Sequence, residues 1–418
     1  MPKIARITQS FSRPRVSDIA EAVASEFNRL SLGDICCGKR VGITAGSRGI
    51  TDIIPLLKAL IREITASGGS PVLIAAMGSH GGGTESGQRE LLSDLGVTED
   101  SLTVPVAASV SCVKIGVTNS GLEAFVTEAS GSLDVILPVN RIKPHTAFHG
   151  AIESGLHKML VVGLGGPMGA AQFHSRGADE LPELLREVGA FILNKMPIPA
   201  GFAIVENAHD ETALIKGVLA SDFASEEPKL LNLAKSLMPS LPAQKLDALI
   251  IEEMGKNYSG TGIDTNIIGR LRIEGVPEPT SPSIQKIAVL DLSNESHGNA
   301  NGIGLADITT KNLVDKIDRR ATYLNCSTTG FLIRGAIPVF LDSEREMMEL
   351  MLRSLGDRQA SELRLIQIPN TLNLAECFVS EALLPEMRSA PHITISSDLT
   401  EMSFDANGRL THRIGRSG

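Results

Sequence analysis

The sequence predicts an α/β protein of two domains, each with a mainly parallel or mixed sheet. Three observations carry this. Lys39–Ala45 (KRVGITA) and Pro71–Ala76 are short apolar strands on either side of an amphipathic segment, Ile53–Ser67, which makes a βαβ unit and hence parallel pairing. Leu133–Pro138 (LDVILP) is a continuous apolar run, as a central parallel strand requires. A third such run, Leu246–Ile251 (LDALII), restarts the pattern after PSLPAQ at residues 239–244, where proline breaks the helical periodicity. The chain of 418 residues, 42% apolar and 21% charged, suits two or three globular domains.

Taken in order, Val16–Leu30 has apolar residues at helical spacing with Ser17 as a possible N-cap. The strand 39–45 ends in GSRGITD and places Arg48 on a loop at a strand C-terminus, the side on which open α/β sheets bind ligands. The strand 71–76 ends in MGSHGGGTESG, with His80 at the apex and a helix opening after Thr84. The glycines Gly81 and Gly82 there leave backbone N–H groups open to an anion. Residues 102–129 read as short alternating strands with a turn at Asn119–Gly121. Helices follow at Asp179–Asn194 and Lys229–Leu237, with a strand at Gly201–Glu206 between them. The first domain therefore spans 1–243 and the second 244–396. The polar tail, 397–418, pairs as a last strand or packs back on the first domain. In the second domain the loop EEMGKNYSGTG after the strand 246–251 carries Lys256 and Tyr258; a strand at Lys286–Leu292 and a helix at Thr310–Ile317 follow.

A net charge of −9 without a basic block argues against nucleic acid as a partner, and small molecules are the expected ligands. Five cysteines without a C-x-x-C pair read as reduced thiols. No apolar run of about 18 residues could span a bilayer and the N-terminus lacks a signal pattern, so no membrane association and a cytoplasmic location are expected.

The chemistry concentrates in 140–175, NRIKPHTAFHGAIESGLHKMLVVGLGGPMGAAQFHS, which holds four of the nine histidines. His145, His149 and Glu153 at i, i+4 and i+8 would align as zinc ligands on a helix, yet glycine interrupts the segment and the spacing is not H-E-x-x-H. Gly163, Gly165 and Gly169 approach a dinucleotide fingerprint, with the third glycine one residue late. A phosphate-binding lysine loop and a G-x-S-x-G elbow are both absent from the sequence. What survives is Arg48, His80, His145, Lys158, His174 and Lys256 at strand ends: imidazoles for acid and base, cations for a carboxylate.

At these residues the chain resembles the nickel-dependent lactate racemase family. The likeness rests on a lysine followed sixteen residues later by a histidine, Lys158 and His174 here. The resemblance implies a nickel pincer nucleotide cofactor in a cleft between the domains, tethered through Lys158, with His174 as the metal ligand. It implies His80 in GSHGGGT as one catalytic histidine and Arg48 in GSRGI as the substrate-gripping arginine. The second catalytic histidine is His145, which follows a proline, or His149, nine residues before Lys158. Lys256, with Tyr258 beside it, falls where the family contacts the substrate carboxylate. Gly163 and Gly165 then serve close packing around the cofactor. The implied activity is racemisation or epimerisation of a 2-hydroxy acid by reversible hydride transfer, with cofactor-assembly enzymes as partners. A nicotinamide-dependent oxidoreductase and a non-catalytic binding or sensor protein are the alternatives on the same residues.

Overall fold

The computed structural model describes residues 1–414. The chain divides into two compact units, Ser12–Met238 and a second made of Met1–Phe11 with the chain from Pro239 onward. The break falls five residues before the 243/244 boundary read from the sequence, and the first eleven residues belong to the C-terminal unit.

In the unit 12–238, four parallel strands stand in the order Val106–Ala107, Ser70–Ala75, Arg40–Ala45, Val135–Leu137. Val41, Ile43, Leu73, Ile74, Ile136 and Leu137 are fully or almost fully inaccessible, which is why these strands read as unbroken apolar runs. The helix Ile53–Ala66 buries Leu56, Leu57, Leu60 and Ile64 at helical spacing in the same core. The strand Val135–Leu137 stops at Pro138, which has no N–H for a ladder. The chain resumes as Val139–Arg141 in a second sheet, parallel to Ala200–Glu206, which pairs antiparallel with Thr212–Leu219. Thr44 Oγ1 accepts from the Val139 N–H (2.8 Å) and stitches the two sheets at this step.

The remaining segments match the reading with shifted ends. The alternating region contains the hairpin Cys112–Val117 and Glu123–Thr127. Helices run Leu181–Lys195 and Phe223–Leu237, the second starting six residues early because Pro228 is accommodated inside its early turns.

The second unit is built on one mixed sheet. Five parallel strands, Val339–Leu341, Ile308–Thr310, Ser283–Val289, Lys245–Ile251 and Leu365–Ile368, continue into antiparallel Glu376–Ser380, Lys3–Gln9 and Ile393–Ile395. Thr400–Glu401 also pairs with Lys3–Gln9, so the tail adds to this sheet. Ile4, Ala5 and Ile7 are buried to within 1%, which gives the N-terminal strand its place here. The α/β class is the one the sequence predicts. Among the described residues no helix is long and apolar enough to cross a membrane.

Candidate functional site

Three neighbouring strands of the first sheet deliver the candidate residues. Arg40–Ala45 and Ser70–Ala75 pair in step, Ala45 opposite Ala75, and Ile43 stands opposite Leu137. Loops bearing Arg48 and His80 therefore leave the same edge of one parallel sheet, at the strand C-termini, while His145 follows Val139–Arg141 of the second sheet, which continues from the neighbouring strand past Pro138. The Arg48 loop is tied down behind. The Thr51 N–H donates to Glu206 Oε1 (2.9 Å), and Glu206 also pairs with Arg141.

His80 is exposed and precedes Gly81, Gly82 and Gly83, all left-handed at φ 65–67°. A side chain on Gly81 would meet the backbone of Gly87 and Gln88 at 2.5 and 2.6 Å, so this glycine closes the turn. Gly82 faces open space and leaves its backbone accessible. Thr84 then caps the helix Glu85–Asp94 through the Gly87 N–H.

Residues 145–153 are irregular, so the helical alignment that zinc would need does not form. Instead, Glu153 lies buried at the centre of the loop. It accepts from the backbone N–H of His145 (2.7 Å) and Lys235 Nζ (2.7 Å), and lies 3.4 Å from His149 Nδ1. His149 is exposed; His145 is half-buried, its ring stacked on Phe148 at 4.2 Å. Phe148 meets Phe173 edge-on at 6.0 Å, and Phe173 meets His174 at 5.2 Å. A continuous run of rings thus joins His145 to His174.

Lys158 ends a short helix, Leu156–Lys158, and is followed by a π-helical stretch, Met159–Leu164, and the helix Gly166–His174. π-helical insertions are rare and concentrate at functional sites. His157 points the other way. Both it and Glu227 are buried, joined through His157 Nδ1, while Glu227 also accepts from the N–H groups of Leu156 and His157. That pair anchors the turn from which Lys158 projects.

The electrostatics of Lys158 and His174 are unusual. Lys158 keeps part of its surface open to solvent, yet the protein around it and then the charges of Arg48 and Lys143 hold its amine down to about 7. Desolvation and then Lys158 lower His174 to about 4. Arg48 in turn is held below its usual range by its surroundings and by Arg141. At neutral pH His174 is a neutral imidazole, and Lys158 is a nucleophilic amine in a large share of molecules. Lys143 and Arg141 were not singled out by sequence reasoning. Both stood in NRIKPH, and cations two and four residues before His145 were the available signal.

The glycines make a different contact from the one expected. The glycines Gly163 and Gly165 pack against the chain itself: a side chain on Gly163 would meet Met159 Sδ at 2.5 Å and the Ala76 carbonyl at 2.8 Å, and one on Gly165 would strike the Val161 carbonyl. Their lack of a side chain is accounted for by protein atoms. The run leaves a π-helical stretch, turns at Gly165 and left-handed Gly166 (φ 59°) and enters a helix, so no strand precedes the turn and the strand–turn–helix geometry of a dinucleotide loop is lacking. Lys256 and Tyr258 belong to the other unit. Lys256 Nζ donates there to the Gly260 carbonyl and to Asn325 Oδ1 (2.6 Å), and the Tyr258 hydroxyl donates to Glu253.

No protein-family model and no curated protein matches this sequence. Among solved structures, the fold is that of the lactate racemase apoprotein from Thermoanaerobacterium thermosaccharolyticum. The two align with a TM-score of 0.53 over 87% of this chain and 94% of that one, at 13% identity. A likeness at that identity is one of fold, so the chemistry has to be argued from the residues.

Among the described residues no group of three or more His, Cys, Asp or Glu side chains could hold a metal ion. Any metal at His174 must therefore bring most of its ligands with it. Lys158 and His174 fit a pre-assembled organic metal cofactor: an amine held well below the usual lysine range and one imidazole held below its own.

Proposed function

We propose that this chain is an isomerase, a racemase or epimerase of 2-hydroxy acids that inverts the α-carbon by reversible hydride transfer with a lysine-tethered nickel pincer nucleotide. The observation that carries the reading is Lys158, a desolvated amine held at about 7, sixteen residues before the imidazole of His174, itself held at about 4. The likeness in fold to a lactate racemase supports it.

When bound, the cofactor would supply a reversible hydride acceptor. Lys158 would hold it and His174 would ligate its nickel. The guanidinium of Arg48 can grip the substrate carboxylate in a bidentate manner, which fixes the reacting carbon. Inverting a carbinol carbon requires a base for the hydroxyl proton of each enantiomer. His80 is one, and His145 or His149 is the other. Lys256 and Tyr258, on the second unit, would add contacts to the carboxylate. The Gly81–Gly82 turn, with Gly82 open, offers N–H groups for an anionic part of the cofactor. A nicotinamide-dependent oxidoreductase would need a strand before its glycine turn, where this chain has a π-helical stretch.

The test is to produce the chain together with cofactor-assembly enzymes. Intact mass should show a heavy adduct that peptide mapping places on Lys158, with about one nickel per chain. An unmodified, nickel-free chain under those conditions refutes the reading. His80→Ala should then abolish exchange of 2-hydroxy acid enantiomers while leaving the adduct in place; retained racemisation removes His80 from the mechanism.

A further inference from the structure

The buried carboxylate of Glu153 makes the two imidazoles of its loop chemically unlike. Its side chain is fully inaccessible. Oε1 accepts from Lys235 Nζ (2.7 Å) and the Gly150 N–H (3.3 Å); Oε2 accepts from the His145 N–H (2.7 Å) and faces His149 Nδ1 at 3.4 Å. Burial alone would raise this carboxyl, but the bonds from His149, Lys235 and the His145 backbone outweigh it and hold Glu153 below its usual range, hence ionised at neutral pH. An ionised carboxylate only accepts hydrogen bonds. His149 must therefore carry its proton on Nδ1, and in its neutral form it keeps the lone pair on Nε2.

His145 is the reverse. Its Nδ1 accepts from the Ala147 N–H (3.2 Å), so a neutral ring carries its proton on Nε2 and offers an N–H outward. The stack on Phe148 fixes that ring. The sequence leaves both histidines as candidates; their hydrogen bonds separate them.

We propose that Glu153 is a positioning residue that makes His149 a proton acceptor at Nε2, while His145 serves as a hydrogen-bond donor. Within the racemase reading, on which this role rests, His149 takes the hydroxyl proton of one substrate enantiomer onto Nε2. The resulting imidazolium is stabilised by Glu153, and Lys235 behind the carboxylate offsets part of that stabilisation. His145 donates to a substrate oxygen and changes no protonation state. The assignment of tautomers rests on the hydrogen bonds alone and does not depend on the cofactor.

The decisive measurement is nitrogen NMR of the full chain labelled at histidine, with His145 and His149 assigned from H145Q and H149Q. The expected result is an Nδ1–H tautomer for His149 and an Nε2–H tautomer for His145. In E153Q, His149 should lose its preference for that tautomer. An Nε2–H tautomer for wild-type His149 overturns the proposal, and so does an unchanged His149 in folded E153Q. The wild-type spectrum decides even if E153Q fails to fold. In cofactor-loaded enzyme, H149Q should lower kcat by about a hundredfold or more, with the adduct retained, whereas H145Q acts mainly on KM. The opposite pattern overturns the assignment of roles. A loaded wild-type chain that turns over no 2-hydroxy acid refutes the racemase reading instead, and the spectrum still tests the tautomers.

Discussion

The amine of Lys158 should react at a pH where other lysines are silent. An ordinary lysine, near 10.5, is unprotonated at pH 7 in roughly one molecule in three thousand; an amine at about 7 is unprotonated in about half. At that pH Lys158 should therefore be acylated on the order of a thousand times faster than an equally accessible surface lysine, with some loss because a weaker base is a weaker nucleophile. Brief treatment of the cofactor-free chain with an amine-acylating reagent over pH 5.5–10, read by peptide mass spectrometry, gives the titration directly. Desolvation is the largest cause of the shift and Arg48 the next, so Arg48→Gln should move the midpoint upward without restoring the ordinary value. The sign for stability follows. With the folded value below the unfolded one, the folded chain binds fewer protons from about pH 7 to 10.5, and this group's contribution to stability rises with pH across that window. Labelling of Lys158 that rises only with the bulk lysines would refute the argument, as would an unmoved midpoint in folded Arg48→Gln.

Three substitutions test the packing that holds the site. Glu227→Gln breaks the buried pair with His157 beneath Lys158 and should cost roughly 3 kcal/mol in urea unfolding. Gly82→Ala, where space is open but φ is 65°, should cost roughly 1 kcal/mol. Gly81→Ala adds a collision with the Gly87 backbone and should cost at least about 1 kcal/mol more; equal costs would contradict the geometry.

The parallel core was legible because parallel strands are buried on both faces, and Val41, Ile43, Ile136 and Leu137 stand out as apolar runs. Arg48 and His80 were legible for a related reason: a residue just past such a run sits at the ligand-facing edge. The region 145–153 was not, because its conformation is set by Glu153 and Lys235, and Lys235 lies 82 positions further along. Periodicity reports only on neighbours in sequence. The glycines 163 and 165 misled in another way, since a glycine demanded by a ligand and one demanded by Met159 or the Val161 carbonyl look alike in sequence. The N-terminal strand escaped notice because seven residues, of which only Ile4, Ala5 and Ile7 are apolar and buried, carry little pattern by themselves.

That strand has a consequence for how the chain comes to be folded. Lys3–Gln9 is synthesised more than 350 residues before its partners, 376–380 and 393–395. The intervening unit, 12–238, can complete its own core while the ribosome is still at work, but the sheet of the other unit cannot close until residues 376–395 have emerged. During that interval an apolar strand with unpaired edges is left waiting, a target for chaperones or for pairing with another nascent chain. Once the strand is home, segments nearly 400 residues apart are fastened into one sheet, and a change in Lys3–Gln9 or in 376–401 acts on the same structural unit.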